Sequence, residues 1–142
     1  MATRDGSAEW RGDLQSGGGE LTVGDGVFKG PYSFSSRFEE GDGTNPEELI
    51  AAAHAACFSM ALSNILAQNG HPPDSVRTAA KVHLGQKDGK PTIHTIDLET
   101  QGKVPGIDEE EFRIRAEEAK AGCPVSRALG GVDEINLTAQ LS

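Results

Sequence analysis

The chain has two cysteines, and their settings favour different thiol chemistry. Cys57 lies inside a long apolar run, where burial disfavours the thiolate and makes a silent core cysteine the simpler interpretation. Cys123 precedes Pro124, which fits the first position of a helix, so N–H groups of the next turn favour a thiolate there. The place of each cysteine in its predicted helix therefore favours Cys123 as the nucleophile. The alternative is that Cys123 is only a helix cap. Two thiols that oxidise and form a disulfide during turnover would explain both placements.

Two charged residues near the apolar run could tune a thiol. Arg37 keeps its charge in any environment and could supply the cation that Cys57 would need, although a solvated arginine at a strand end is the commoner role. Glu47 precedes Cys57 by ten positions, about 15 Å along a helix axis, so the two do not touch within one straight helix. A shared site would require a bend, an intermediary such as Arg37, or a partner subunit. Otherwise Glu47 is an acid stabilised by the helix dipole.

His54 stands three residues before Cys57 on nearly the same helical face, and a Cys–His pair is typical of thiol hydrolases. No oxyanion motif or orienting acid accompanies the pair. We therefore interpret His54 as a packing residue bonded to a backbone carbonyl. The cysteine and histidine spacings match no metal-binding motif, so the sequence predicts neither a metal site nor a bound cofactor.

Hydrophobic periodicity predicts the elements that must position these residues. The N-terminal third alternates as strands, with a turn at residues 17–19, over residues 8–12, 20–23, 27–30 and 32–35. A long helix begins at Pro46, with Asn45 as its N-cap and Glu48 in the capping-box position, and ends near Gln68 before Asn69 and a glycine. This helix is apolar nearly all round, so we expect it to be buried on every side, within the domain or at a dimer interface.

The second half of the chain predicts a two-stranded ribbon, two helices and a closing strand. The ribbon comprises residues 76–84 and 95–99 and turns at residues 87–90. A helix begins at Asp108 and ends near Lys120, a short helix follows Cys123 to Leu129, and residues 135–141 form the last strand. The order β-β-β-α-β-β-α-α-β indicates an α+β fold, in one domain over residues 1–142.

Composition excludes several classes of partner. A net charge of −9 and a sequence pI near 4.8 argue against binding to nucleic acid or to anionic membranes. The apolar run at residues 49–62 is too short to span a bilayer, and no secretory signal is evident, so we expect a cytoplasmic protein. In that reducing compartment two cysteines are expected to be redox-cycling and not a permanent disulfide.

Three segments together resemble the OsmC/Ohr family, which contains osmotically inducible protein C and the organic hydroperoxide resistance proteins. They are SRFEEG at residues 36–41, GTNPEELIAAAHAACFSM at 43–60 and GCPVS at 122–126. The first segment favours the OsmC branch. The resemblance implies an OsmC-like α+β fold and an intertwined homodimer, in which antiparallel-rich sheets cover long central helices.

The resemblance also implies a thiol-dependent peroxidase that reduces organic hydroperoxides to alcohols in oxidative or osmotic stress defence. By motif, Cys57 is the peroxidatic cysteine and forms a sulfenic acid, and Cys123 is the resolving cysteine of an intrasubunit disulfide, which reverses the choice made from position. Arg37 would stabilise the thiolate and Glu47 would orient Arg37. The implied reductant is a dithiol, such as a lipoylated protein.

Apolar residues near these motifs could form a pocket for a bulky alkyl hydroperoxide: Phe34, Phe38, Phe58 and Met60. Two other functions remain open at this point. A thiol hydrolase would use Cys57 and His54 and would not need Cys123. A noncatalytic dimeric redox sensor or binding module would form the disulfide once, without rapid recycling.

Overall fold

A computed structural model describes all residues, 1–142, as two compact units, Met1–Leu49 and Ile50–Ser142. The element order is β-β-β-α-α-β-β-α-α-β, with two three-stranded sheets. The α+β prediction is confirmed, with one helix more than expected. The prediction of one domain over residues 1–142 stays a prediction.

The first unit contains the antiparallel sheet β1-β2-β3, formed by Gly6–Arg11, Gly18–Val23 and Phe28–Tyr32. The turn predicted at residues 17–19 is wrong, because Gly18 and Gly19 already belong to β2. A Cβ on Gly19 would lie 2.5 Å from the Tyr32 ring and 2.9 Å from that of Trp10. This glycine is therefore required for close packing beneath two aromatic rings and not for a turn.

A short helix, α1 (Phe34–Phe38), replaces the strand predicted at residues 32–35. Ser33 forms a capping box with Ser36: the Ser36 N–H donates to Ser33 Oγ at 3.1 Å, and the Ser33 N–H donates to Ser36 Oγ at 2.8 Å. These reciprocal bonds satisfy two N–H groups at the helix start and outweigh the apolar alternation that predicts a strand. Arg37 therefore lies on a helix and not at a strand end.

The long helix α2 (Pro46–Gln68) has the predicted bounds. Asn45 caps it, since Asn45 Oδ1 accepts a hydrogen bond from the Glu48 N–H at 2.8 Å. Gly70 follows with φ +85°, the left-handed conformation that commonly ends a helix. The helix thus begins and ends where its local sequence directs.

The second unit contains the sheet β4-β5-β6, formed by Ser75–Lys87, Lys90–Lys103 and Glu134–Leu141. Strands β4 and β5 form an antiparallel hairpin whose turn residues, Asp88 and Gly89, both have positive φ, as the predicted two-residue turn requires. Strand β6 pairs with β5 in parallel. The antiparallel-rich sheets that the family resemblance implies are present.

Helices α3 (Glu109–Gly122) and α4 (Pro124–Ala128) meet at Cys123. The core of this unit consists of residues from α2, β5, α3 and the cysteine between α3 and α4: Phe58, Leu62, Leu66, Ile96, Leu98, Phe112, Ala116, Ala119 and Cys123. The redox-active candidate Cys123 is thus part of the hydrophobic core.

The single chain does not bury α2 on every side, and burial of the remaining face at a dimer interface stays a prediction. Ala52, Ala53, Ala56 and Met60 lie along one face and are exposed. Residues 49–62 are too short to span a bilayer, but they belong to a helix of 23 residues with a window of mean hydropathy 1.7, and this whole helix is long and apolar enough by length and composition alone. Core helices of soluble proteins meet the same criteria, so a single such helix is weak evidence for a membrane span.

Candidate active site

The start of helix α4 brings the two cysteines together. Cys123 is its N-cap, and the Ser126 N–H donates a hydrogen bond to Cys123 Sγ at 3.3 Å, as position predicts. Cys57 on α2 packs against the core cluster that contains Cys123, and it is close enough to Cys123 and to the Val125 N–H for both to shift the pKa of its thiol. Both thiols are free. The site therefore holds two reduced cysteines near each other, as a disulfide-forming pair requires.

Burial raises the pKa of the Cys57 thiol, as the sequence predicts for a position in the middle of a helix. The nearby Val125 N–H opposes this effect and lowers the Cys57 pKa, because a donor close to the sulfur favours the thiolate. The neighbouring Cys123 raises the Cys57 pKa further, through its hydrogen bond and its charge. Cys57 is only partly buried, whereas Cys123 is 1% exposed, so Cys57 is the more accessible sulfur.

His54 does not make the contacts that the sequence predicts. Its Nε2 lies 2.7 Å from Ser126 Oγ and not on a backbone carbonyl, and its Nδ1 is buried without a hydrogen-bond partner. No hydrogen bond joins His54 to Cys57. The Cys–His pair required by the thiol hydrolase hypothesis is therefore absent from this arrangement.

Arg37 and Glu47 form an ion pair within the first unit. The Arg37 Nε donates to Glu47 Oε1 at 2.7 Å, and the second oxygen of Glu47 is buried without a partner. Ser36 connects α1 to the start of α2: its Oγ donates to the Thr44 carbonyl at 2.7 Å, and its own carbonyl accepts from Asn45 Nδ2 at 2.9 Å. The contact expected between Arg37 and Glu47 is present, while their roles in catalysis stay predictions.

The four residues predicted to line a substrate pocket differ in accessibility. Phe34 and Phe38 pack together with ring centroids 4.9 Å apart, and the Arg37 guanidinium lies 5.3 Å from the Phe38 ring centroid. Phe38 is 41% exposed and Met60 is 75% exposed, whereas Phe58 is fully buried in the core. Three of the four thus have surface available for an alkyl group, whereas Phe58 packs in the core and has none.

Sequence reasoning missed Val125, Ser126 and Ser36. Ser126 is three residues after Cys123, the position whose N–H an N-cap side chain accepts, so capping geometry could have identified its backbone contact. Its hydroxyl contact with His54 joins residues 72 positions apart and has no local signal. No group of three or more His, Cys, Asp or Glu side chains is arranged to hold a metal ion.

Comparison with known proteins identifies the family. A family model described as OsmC-like protein matches residues 39–138. The chain belongs to the OsmC family. It is 49% identical over 137 residues, 96% of this chain and 94% of the relative, to the peroxiredoxin OsmC of Escherichia coli (strain K12). This similarity confirms the predicted OsmC branch.

More distant members share the fold. The organic hydroperoxide resistance protein of Xanthomonas axonopodis pv. citri (strain 306) is 38% identical over 99 residues, 69% of this chain and 68% of the relative. A solved structure of an organic hydroperoxide resistance protein from Elizabethkingia anophelis aligns with all of this chain and 96% of its own, with TM-score 0.76 and 26% identity. The predicted OsmC-like fold is confirmed.

Proposed function

We propose that this protein is a thiol-dependent peroxidase that reduces organic hydroperoxides to alcohols with Cys57 and Cys123 as its redox pair. The observation that carries the proposal is the proximity of the two free thiols, which belong to one packed cluster in which Cys123 raises the pKa of Cys57. Relatives named peroxiredoxin and organic hydroperoxide resistance protein support the same reaction.

Cys57 is the peroxidatic residue in this proposal. Its sulfur is the more accessible of the two, so a hydroperoxide reaches it first. The Cys57 thiolate attacks the terminal peroxide oxygen, the O–O bond breaks, and the alkoxide takes up a proton to leave as the alcohol. Cys57 is thereby oxidised to a sulfenic acid. The Val125 N–H favours the thiolate, but burial acts against it, so a further positive charge is needed.

Arg37 supplies that charge in the proposed site, and Glu47 orients Arg37. The 2.7 Å bond from Arg37 to Glu47 fixes the direction of the guanidinium, because one carboxylate oxygen holds its Nε and leaves the terminal nitrogens free. In the proposal Phe34, Phe38 and Met60 provide apolar surface for the alkyl group of the substrate, and Phe58 is buried in the core of its own unit. An apolar surface favours a bulky hydroperoxide over hydrogen peroxide.

Cys123 is the resolving residue. It attacks Cys57 Sγ, the sulfenic S–O bond breaks, and water is released as the intrasubunit disulfide forms. A dithiol, such as a lipoylated protein, then reduces the disulfide and returns both thiols. The proposed setting is a soluble, cytoplasmic protein in oxidative or osmotic stress defence.

The proposed assembly is an intertwined homodimer. The exposed apolar face of α2, formed by Ala52, Ala53, Ala56 and Met60, supports it, because such a surface is normally covered by a partner. Met60→Glu is expected to halve the mass measured by sedimentation. Ile114→Glu, a matched change at another exposed apolar residue, is expected to leave the mass unchanged. A native protein that sediments as a monomer would exclude the dimer.

The decisive experiment adds one equivalent of cumene hydroperoxide to the reduced protein and measures its intact mass under denaturing conditions. We expect rapid loss of two hydrogens, mapped by digestion to a Cys57–Cys123 bond. Cys123→Ser should instead retain a trappable sulfenic acid, and Cys57→Ser should not react.

The competing functions give different results in the same experiment. A hydrolase leaves both thiols unoxidised, turns over an activated ester and keeps that activity without Cys123. A redox sensor or binding module forms the disulfide but does not return rapidly to the dithiol when dihydrolipoamide is added. Either result would exclude the proposed peroxidase cycle.

A further inference from the structure

A chain of buried side chains leads away from the resolving thiol. The Cys123 S–H donates to Ser126 Oγ at 3.1 Å, and Ser126 Oγ lies 2.7 Å from His54 Nε2. His54 is fully buried, Ser126 is 6% exposed and Cys123 is 1% exposed. The three groups thus form a continuous hydrogen-bonded path from a reacting sulfur to an imidazole, with almost no access to bulk water.

The direction of the bonds follows from their donors. Because the Cys123 thiol occupies Ser126 Oγ as a donor, the Ser126 hydroxyl hydrogen remains free to donate to His54 Nε2. His54 then carries its own proton on Nδ1, which has no hydrogen-bond partner. Burial is the only cause that lowers the pKa of His54, with no charged group contributing, so the ring stays neutral and its Nε2 lone pair is available.

We propose that Ser126 and His54 form a proton path that activates Cys123 for disulfide closure, with Ser126 in direct contact with the reacting sulfur and His54 acting through it. This inference rests on the proposed peroxidase function. It addresses a specific need: Cys123 is cut off from solvent, so water or hydroxide has poor access to its proton, while only the thiolate attacks a sulfenic acid efficiently.

The step balances as follows. Ser126 Oγ takes the proton of Cys123 as the Ser126 hydroxyl proton passes to His54 Nε2. An electron pair on Cys123 Sγ forms the S–S bond, and the sulfenic S–O bond of Cys57 breaks with its pair on the departing hydroxide. The proton held by His54 then returns to Ser126 Oγ as the Ser126 hydroxyl proton passes to that hydroxide, which leaves as water. Cys57 is reduced from the sulfenic level, Cys123 is oxidised, and the net products are a disulfide and one water.

The lack of a hydrogen-bond partner at His54 Nδ1 is consistent with a group that accepts a proton only briefly. Once protonated, His54 would hold a buried positive charge whose Nδ1–H has no acceptor, so the imidazolium is poorly stabilised and gives up its proton quickly. A histidine that served only for packing would not need its Nε2 to form a hydrogen bond with a hydroxyl that also contacts the sulfur of the resolving cysteine.

The test separates the two chemical steps. Reduced protein is mixed with cumene hydroperoxide and quenched at intervals, and the sulfenic acid and the disulfide are measured separately by trapping and intact mass. We expect Ser126→Ala to slow disulfide closure roughly a hundredfold, as for removal of a general base, while Cys57 oxidation stays within about twofold of wild type. Ser126→Ala retains the backbone N–H bond to Cys123, so the helix cap persists.

Conservative and control variants identify the cause of slow disulfide closure. Ser126→Thr keeps the hydroxyl and is expected to restore closure, whereas His54→Gln keeps a polar group without a base and is expected to close slowly. Ser59→Ala removes a hydroxyl on α2 that donates to Thr78 Oγ1 at 2.7 Å and forms no hydrogen bond with Cys123, and this variant is expected to react like wild type. A structural role alone would slow both chemical steps in Ser126→Ala, and that result would overturn the proposal.

The pH dependence of closure provides a readout that packing does not change. Closure in wild type should vary little from about pH 6.5 to 8, because the acceptor is internal and neutral. In Ser126→Ala and His54→Gln the rate of closure should rise about tenfold per pH unit, because hydroxide from solvent must then take up the thiol proton. Equal closure rates and equal profiles in all proteins would overturn the proton path but leave the peroxidase intact. No oxidation of wild-type Cys57 would instead refute the proposed function itself.

The wild-type protein gives an independent result if a variant fails to fold. Nitrogen NMR of the reduced protein should find His54 neutral, with Nδ1 protonated and Nε2 accepting a hydrogen bond. A proton on Nε2 would mean that His54 donates to Ser126, and the path would then lack its acceptor.

Discussion

Oxidation to the Cys57–Cys123 disulfide is expected to stabilise the protein strongly. The bond closes a loop of about 67 residues, and the chain-entropy relation gives about 4.4 kcal/mol of stabilisation at 25 °C for that length. The two cysteines already belong to one packed cluster, so we expect little of this gain to be lost to strain. For a chain of 142 residues the gain corresponds to roughly a 15 °C rise in Tm. It also makes the disulfide harder to reduce than an unstructured pair, by roughly 90 mV.

The assay is urea unfolding of the reduced and the oxidised protein, followed by circular dichroism at one protein concentration, because dimerisation would make stability concentration-dependent. Cys57→Ser carried through the same oxidation is the control and should show no gain. A gain below about 1 kcal/mol would refute the reasoning, since it would mean that closure pulls the sulfurs or their helices out of their native packing.

Three further predictions test the core, the thiol environment and the ion pair. Phe58→Ala should lower the free energy of unfolding by about 3–5 kcal/mol, because the ring is fully buried. Met60→Ala, at a 75% exposed position, should lower the free energy of unfolding of the single chain by less than about 0.5 kcal/mol. Urea unfolding of dilute monomer checks both values. Replacing Cys123 with Ala should lower the pKa of Cys57, since Cys123 raises it in the native site; alkylation rate against pH measures the midpoint, and an unmoved or higher midpoint contradicts the assignment. Glu47→Gln should slow oxidation of the peroxidatic thiol by roughly tenfold to a hundredfold, because the guanidinium bonded to Glu47 loses its fixed direction. The rate of peroxide-dependent sulfenic acid formation measures this effect, and an unchanged rate would remove Glu47 from the site.

Local chemistry made much of the fold predictable. Asn45, Pro46 and Gly70 set the bounds of α2, and Asp88 with Gly89 set the hairpin turn, because caps and tight turns are decided by residues within a few positions of one another. The N-cap position of Cys123 was predictable for the same reason. The α1 helix was not, because its apolar alternation indicates a strand while a two-serine capping box decides for a helix.

The sequence by itself determined which side chains can perform redox chemistry: two thiols, one at a helix start and one inside an apolar helix, within motifs typical of the OsmC/Ohr family. Only the tertiary structure decided their partners. It brings Cys57 near Cys123 in one packed cluster, and it directs His54 to Ser126 across 72 positions and not to the neighbouring cysteine. The physical reason is that spacing along a helix fixes which face a side chain occupies, while the groups it meets there come from distant segments through packing of the core.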